Sequence, residues 1–161
     1  MIRLLPKTHE ATSPTVKMRV EHVDIDSYGI VHFSRYASLL ETATLELLSR
    51  SSLSPELLMS QGLEPRISEL SIKYRQAATY GDVLSFEARA IKQSPARITF
   101  EVIGTCDTSQ EENVVVIGNL TMAVVRRENG APIELPVFII NNLDENSKST
   151  GVIVEHTLRE S

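Results

Sequence analysis

The chain is 161 residues long, 42% apolar and 23% charged, which suits one domain with a real core and leaves little for a second. A net charge of −5 argues against general nucleic-acid binding, which needs a positive surface to displace counterions. The single cysteine, Cys106, excludes an intrachain disulfide and any metal site built from several cysteines, and no run of about 18 apolar residues offers a membrane span.

Residues 1–15 carry little pattern and read as a flexible arm. Their start, Met1-Ile-Arg-Leu-Leu-Pro6, lacks the apolar stretch and cleavage site of a signal peptide, so a cytoplasmic location is expected. Val16 to Val23 is a strand candidate with Val16, Met18 and Val20 on one face. Asp24-Ile-Asp26-Ser-Tyr-Gly29 is rich in turn formers. From Ser34, a plausible N-cap, to Arg50 the period becomes helical: Tyr36, Leu39, Leu40, Ala43 and Leu47 form a stripe that Ala37, Thr44 and Leu48 widen. So wide an apolar arc predicts a helix enclosed on several sides. A short helix follows at Pro55 to Gln61, stopped by Gly62.

After Gly62 the period drops to two. Ser68, Leu70, Ile72 and Tyr74 alternate with Ile67, Glu69, Ser71 and Lys73. Gly81-Asp82 turns the chain, and Leu84, Phe86, Ala88 and Ala90 continue the alternation. Ser94-Pro95 turns it again into Ile98, Phe100 and Val102. Asp107 to Asn113 reads as a loop, Val114 to Val125 as a long strand, Asn129-Gly130 as a turn and Pro132 to Ile140 as a short edge segment. Residues 141–161 form a polar tail on this reading. Consecutive strands on tight turns pair antiparallel, and their apolar face needs a cover. The predicted domain, 16–140, is therefore α+β: a curved antiparallel sheet of five to six strands wrapped around one long central helix.

Two stretches carry a more specific signal. Val23-Asp-Ile-Asp26-Ser-Tyr-Gly29-Ile-Val31-His-Phe-Ser-Arg-Tyr36, followed by Leu39-Leu-Glu41, resembles the 4-hydroxybenzoyl-CoA thioesterase family and the related bacterial acyl-CoA thioesterases of the tol-pal cluster type. Ile72-Lys-Tyr74-Arg-Gln-Ala-Ala78-Thr-Tyr-Gly81-Asp82-Val is similar to that family's second-strand signature. The resemblance spans roughly residues 16–128 and implies the hotdog fold. It departs at His32-Phe33, where Tyr-His or Trp-Tyr is frequent, and at Arg35, where Asn is common.

What the resemblance implies is hydrolysis of an acyl thioester of coenzyme A or of an acyl carrier protein. That chemistry needs a base or nucleophile, an oxyanion donor and a pocket for the acyl group. Asp26 would be the catalytic carboxylate, attacking the carbonyl or activating water. The Phe33 N–H, at the start of the helix, would be the oxyanion donor. Gly29 lets the chain turn close to substrate. His32, Arg35 and Tyr36 are expected beside the acyl group, and Arg66, Lys92 and Arg97, followed by Arg126 and Arg127, at the anionic pantetheine-phosphate end of the substrate. Glu41 is the alternative carboxylate. Asp24 is expected either to be solvated or to support the loop by hydrogen bonds. No cofactor and no metal are expected, because His9, His22 and His156 are scattered; nucleic acid and membrane are not expected as partners. Edge strands imply a homodimer or homotetramer. Other readings are a carrier-protein thioesterase releasing a polyketide or fatty acyl product, a hotdog hydratase or dehydratase, and a non-catalytic acyl-thioester binder.

Overall fold

The computed structural model describes residues 14–107 and 112–135. In chain order these form β1 (Thr15–Arg19), a 3₁₀ turn (His22–Asp24), α1 (Arg35–Ser49), α2 (Pro55–Ser60), β2 (Leu63–Tyr74), β3 (Val83–Gln93), β4 (Ile98–Asp107) and β5 (Glu112–Arg126). The strands make one five-stranded sheet in the order β1-β3-β4-β5-β2, and every pair is antiparallel. This is the hotdog arrangement. Among the described residues no helix is long and apolar enough to cross a membrane.

α1 buries Tyr36, Leu39, Leu40, Ala43, Thr44, Leu47 and Leu48 of the stripe read from sequence, and leaves Ala37 half-buried at its margin. Facing it are Leu84, Phe86 and Ala88 of β3, Ile98, Phe100 and Val102 of β4, and Val116, Leu120, Met122 and Val124 of β5. Gly118 is the point of closest approach. A Cβ there would collide with the Leu40 side chain, so only a glycine lets the sheet come this near the helix. Gly118→Ala is expected to lower stability by about 1–3 kcal/mol through overpacking, read as a fall in the thermal midpoint.

The end of β1 and the phase of β2 differ from expectation. β1 ends at Arg19 instead of reaching Val23. The Asp24 carboxyl accepts the Glu21 N–H at 2.9 Å and so winds the next residues into the 3₁₀ turn. β2 begins at Leu63 and runs through Pro65. A proline cannot donate to a ladder, but β2 is an edge strand, so nothing is lost on its open side. A register shift between Ile67 and Glu69 leaves Ser68 as a bulge. Ile67 then pairs Met122, while Leu70, Ile72 and Tyr74 pair Leu120, Gly118 and Val116. All four therefore share the helix-facing side of the sheet, whereas the simple alternation had put Ile67 on the other side from the rest.

The expected segment after Asn129-Gly130 begins as a bridge between Pro132 and Val125, with the Ile133 N–H donating to the Val124 carbonyl at 3.0 Å. Residues 136–140 of it, the polar tail and nearly all of the N-terminal arm lie outside the described residues; Thr15, counted with the arm, belongs to β1.

Candidate active site

The chain between β1 and α1 is built around one small hairpin. Ile25 bridges Val31, the Asp26 N–H donates to the Ile30 carbonyl at 2.8 Å, and the Gly29 N–H donates to the Asp26 carbonyl at 3.1 Å. Gly29 takes φ +79°, a conformation that the tight return requires and a side chain would disfavour. The hairpin is pinned to the sheet end: Ile30 bridges Thr79, and the Val31 N–H donates to the Ala78 carbonyl at 2.8 Å.

Asp26 is half-buried at the head of this turn. Its Oδ1 accepts the N–H groups of Tyr28 at 2.8 Å and Ile30 at 3.4 Å. The structural reading of an Asx turn and the catalytic reading therefore coexist. Oδ1 fixes the carboxyl, and Oδ2 accepts no hydrogen bond among the described residues.

His32, Phe33 and Ser34 lead from the hairpin into α1. Ser34 was expected to cap the helix with its hydroxyl. Instead it is already in helical conformation, at φ −72° and ψ −20°, and caps nothing with its side chain. The ring of His32 does the nearest equivalent: its Nδ1 accepts the Ser34 N–H at 3.3 Å and pairs with Ser34 Oγ at 2.8 Å. A backbone N–H can only donate, so Nδ1 is the acceptor and the ring proton of neutral His32 sits on Nε2. The Arg35 N–H donates to the His32 carbonyl at 2.9 Å. Phe33 stacks on His32 with centroids 4.6 Å apart, and its carbonyl accepts the Tyr74 O–H at 3.0 Å. The Phe33 N–H donates to nothing among the described residues, and the side chain is 66% exposed.

Of the two expectations for Asp24, solvation is overturned by its burial, at 3% exposed, and the loop is what it holds. Its carboxyl holds the Arg35 Nε–H at 2.7 Å. Arg35, expected beside the acyl group, thus spends its Nε on the loop. Sequence reasoning missed this pair, because residues eleven apart across a turn show no local spacing signal.

Tyr36 is buried beneath the site and meets Tyr74 edge-on, centroids 5.7 Å apart at 61°. Burial first, then the neighbouring Cys106, Tyr74 and Asp82, push its phenol from 10.0 up to about 12. Between those values the folded chain holds a proton that the unfolded chain releases. Stability is therefore expected to fall as pH rises from 10.0 to about 12, and to be unaffected by this group below that window. In an ultraviolet absorbance titration, Tyr36→Phe is expected to lack the last phenol ionisation.

The remaining candidates fall elsewhere. Glu41 is on the exposed side of α1, away from the sheet. Lys92 and Arg97 flank the β3–β4 turn. β3 starts at Val83, beside Arg19 and the hairpin, and reaches Gln93 after 11 residues. At roughly 3.3 Å per residue, that turn is about 30 Å from Asp26 within one chain. Arg66, Arg126 and Arg127 are at the same far end, where Glu64 pairs with Arg66 and Arg127. Cys106 is buried on β4, and burial raises its thiol pKa, which suits a packing residue.

A family model described as the thioesterase-like superfamily matches residues 20–143. The fold is similar to an Asp-to-Asn mutant of 4-hydroxybenzoyl-CoA thioesterase solved with 4-hydroxybenzoyl-CoA, at TM-score 0.73 and 20% identity, covering 81% of this chain and 98% of that one. It is similar to a 1,4-dihydroxy-2-naphthoyl-CoA thioesterase from Synechocystis at 0.69 and 20%, covering 81% and 97%. A Staphylococcus aureus protein solved with CoA matches at 0.73 and 13%, covering 90% and 93%.

Proposed function

Because this chain belongs to the thioesterase-like superfamily, we propose that it hydrolyses an acyl-coenzyme A thioester to the free acid and thiol, with Asp26 as the essential carboxylate. The observation that carries the reading is the 24–34 segment. It brings a carboxyl held by Oδ1, and a backbone N–H, to one end of the sheet, with Oδ2 and that N–H unpartnered among the described residues.

In this reaction the acyl carbonyl lies with its oxygen against the Phe33 N–H. Asp26 either attacks the carbonyl carbon or takes a proton from a water that does. As the tetrahedral carbon forms, negative charge grows on the oxygen, and a donor already aimed there needs no rearrangement. Collapse expels the sulfur, which leaves as the thiol of coenzyme A once protonated. Where Asp26 attacks, water then opens the acyl-enzyme anhydride. The coenzyme A assignment is supported by the thioesters named for the 4-hydroxybenzoyl and dihydroxynaphthoyl enzymes of the same fold.

The acyl pocket is proposed to close only in a homo-oligomer. Phe33, Ile67, Leu70 and Tyr74 are 66%, 45%, 40% and 50% exposed around the open edge of β2. If β2 adds antiparallel to a second β2, the ends of the strands exchange. The far-end cations of the partner subunit, at Arg66, Arg126 and Arg127, would then approach the Asp26 hairpin and the anionic end of the substrate. Lys92, on β3, and Arg97, just before β4, are further from that edge.

The test is thiol release over a panel of aromatic and aliphatic acyl-CoAs and the matching carrier-protein thioesters. Turnover of at least one acyl-CoA is expected. Turnover of carrier-protein thioesters alone would move the substrate assignment to the carrier-protein reading. Turnover of enoyl-CoA by hydration, with no thiol released, would overturn it.

A further inference from the structure

We infer that Asp24 and Arg35 are positioning residues that together aim the Phe33 N–H at the reacting carbonyl; this rests on the thioesterase reading above. Asp24 holds three separate segments. Its Oδ2 accepts the Glu21 N–H at 2.9 Å, where the loop begins. Its Oδ1 accepts the Arg35 Nε–H at 2.7 Å, on the first residue of α1. Its backbone carbonyl accepts the His32 N–H at 2.8 Å, one residue before the donor. A residue that is 3% exposed thus ties together loop entry, donor segment and helix start.

The clamp acts on the donor through the peptide plane. The Phe33 nitrogen and the His32 carbonyl belong to one peptide group, which is planar and trans. Its oxygen accepts the Arg35 N–H at 2.9 Å. With the oxygen held toward the helix, the Phe33 N–H on the opposite side of the plane has one direction left to point. Arg35 therefore acts twice: its backbone holds the carbonyl, and its side chain holds Arg35 itself against Asp24. An arginine suits this position because Nε–H is a fixed, directional donor on a planar group, whereas a lysine offers a rotating point charge. A buried carboxylate also needs a partner of this kind to be tolerated.

A positioning role and a purely structural one make different demands on the kinetics. An oxyanion donor acts as charge develops, so misaiming it lowers kcat and leaves KM nearly unchanged. Misplacement by about 1 Å costs on the order of 10²-fold. Arg35→Gln is therefore expected to lose about 10²-fold in kcat with KM within about twofold, and Arg35→Lys to recover only part of it. The double variant Asp24→Asn with Arg35→Gln removes the stranded buried charge and so protects the fold; its kcat is still expected to stay at least about tenfold down.

The second readout needs no turnover. In an Asp26→Asn background, a thioester carrying a labelled carbonyl is bound and its infrared stretch recorded. The band is expected at lower frequency than in water, and adding Arg35→Gln is expected to return it toward the water value. A folded Arg35→Gln enzyme with wild-type kcat and an unshifted band would overturn the inference and leave the thioesterase reading standing. Loss of thermal midpoint with kcat intact would also overturn it, as the mark of a brace for stability alone. If the wild-type chain releases thiol from no thioester in the panel, the functional reading fails, and the inference with it.

Discussion

Asp26→Asn is expected to lower thiol release by about 10²–10⁴-fold or more while leaving the hairpin intact. The substitution is chosen from the geometry. Oδ1 accepts the Tyr28 and Ile30 N–H groups, and an asparagine carbonyl oxygen can accept both in the same place. The turn should survive, and the thermal midpoint should move little. What is lost is the charge at the second position, which either route requires: a neutral amide neither attacks a thioester at a useful rate nor takes a proton from water. The amide also puts donors where Oδ2 was, so a water held there would be turned the wrong way round. Parallel measurements on Cys106→Ala and Glu41→Gln supply the contrast, and both are expected to keep most of the activity. Cys106 is packed against the core with its thiol held protonated, and Glu41 is on the exposed side of α1. Near wild-type turnover in Asp26→Asn would remove Asp26 from the chemistry and return Glu41 to consideration.

Most of the fold was legible because the period of the apolar residues reports which face is covered. The α1 stripe from Tyr36 to Leu48 and the alternation through Leu84–Ala90 and Ile98–Val102 are buried as the pattern required. The misreadings occurred where a single residue changed the local rule. The Ser68 bulge shifts the phase of β2 by one residue, and a shift of one moves a side chain to the other face. Asp24 ended β1 early by bonding backwards to Glu21, a choice that the residue types permit but do not dictate.

The site was legible to the extent that its parts lie close together in the chain. Asp26, Gly29, His32 and Phe33 fall on one hairpin and one helix start, so a linear motif could carry them. The Arg35–Asp24 pair and the Tyr74 bond to Phe33 depend on the folded chain, and nothing in the spacing announced them. For Lys92 and Arg97 the spacing carried no strand direction. A long strand carries its two ends about 30 Å apart, so residues flanking the far turn belong to a different neighbourhood from the hairpin.

That separation bears on the second large effect, which is expected on assembly. β2 has 12 residues, is paired on one side only among the described residues, and shows apolar side chains at Ile67, Leu70 and Tyr74, with Phe33 beside them. An exposed strand of this length and composition invites edge-to-edge addition, and proteins seldom leave one uncovered. Sedimentation is expected to show a dimer or tetramer across the accessible concentrations. Leu70→Arg is the substitution to make, because Ile72 also packs against the core and a charge there would disturb the fold itself. A buried, unpaired arginine at the interface should shift the protein toward monomer and cut thiol release by an order of magnitude or more. Co-refolding then separates two explanations of that loss. Asp26→Ala chains contribute an intact β2 and no carboxylate; Leu70→Arg chains contribute the carboxylate and a damaged strand. If the Asp26 of one chain works against β2 of the other, mixed dimers contain one complete site, and part of the activity returns on mixing two inactive proteins. If each chain holds its own site, the mixture stays as inactive as its parts. A fully active wild-type monomer at sedimentation equilibrium would exclude the shared site and place the whole acyl pocket within a single chain.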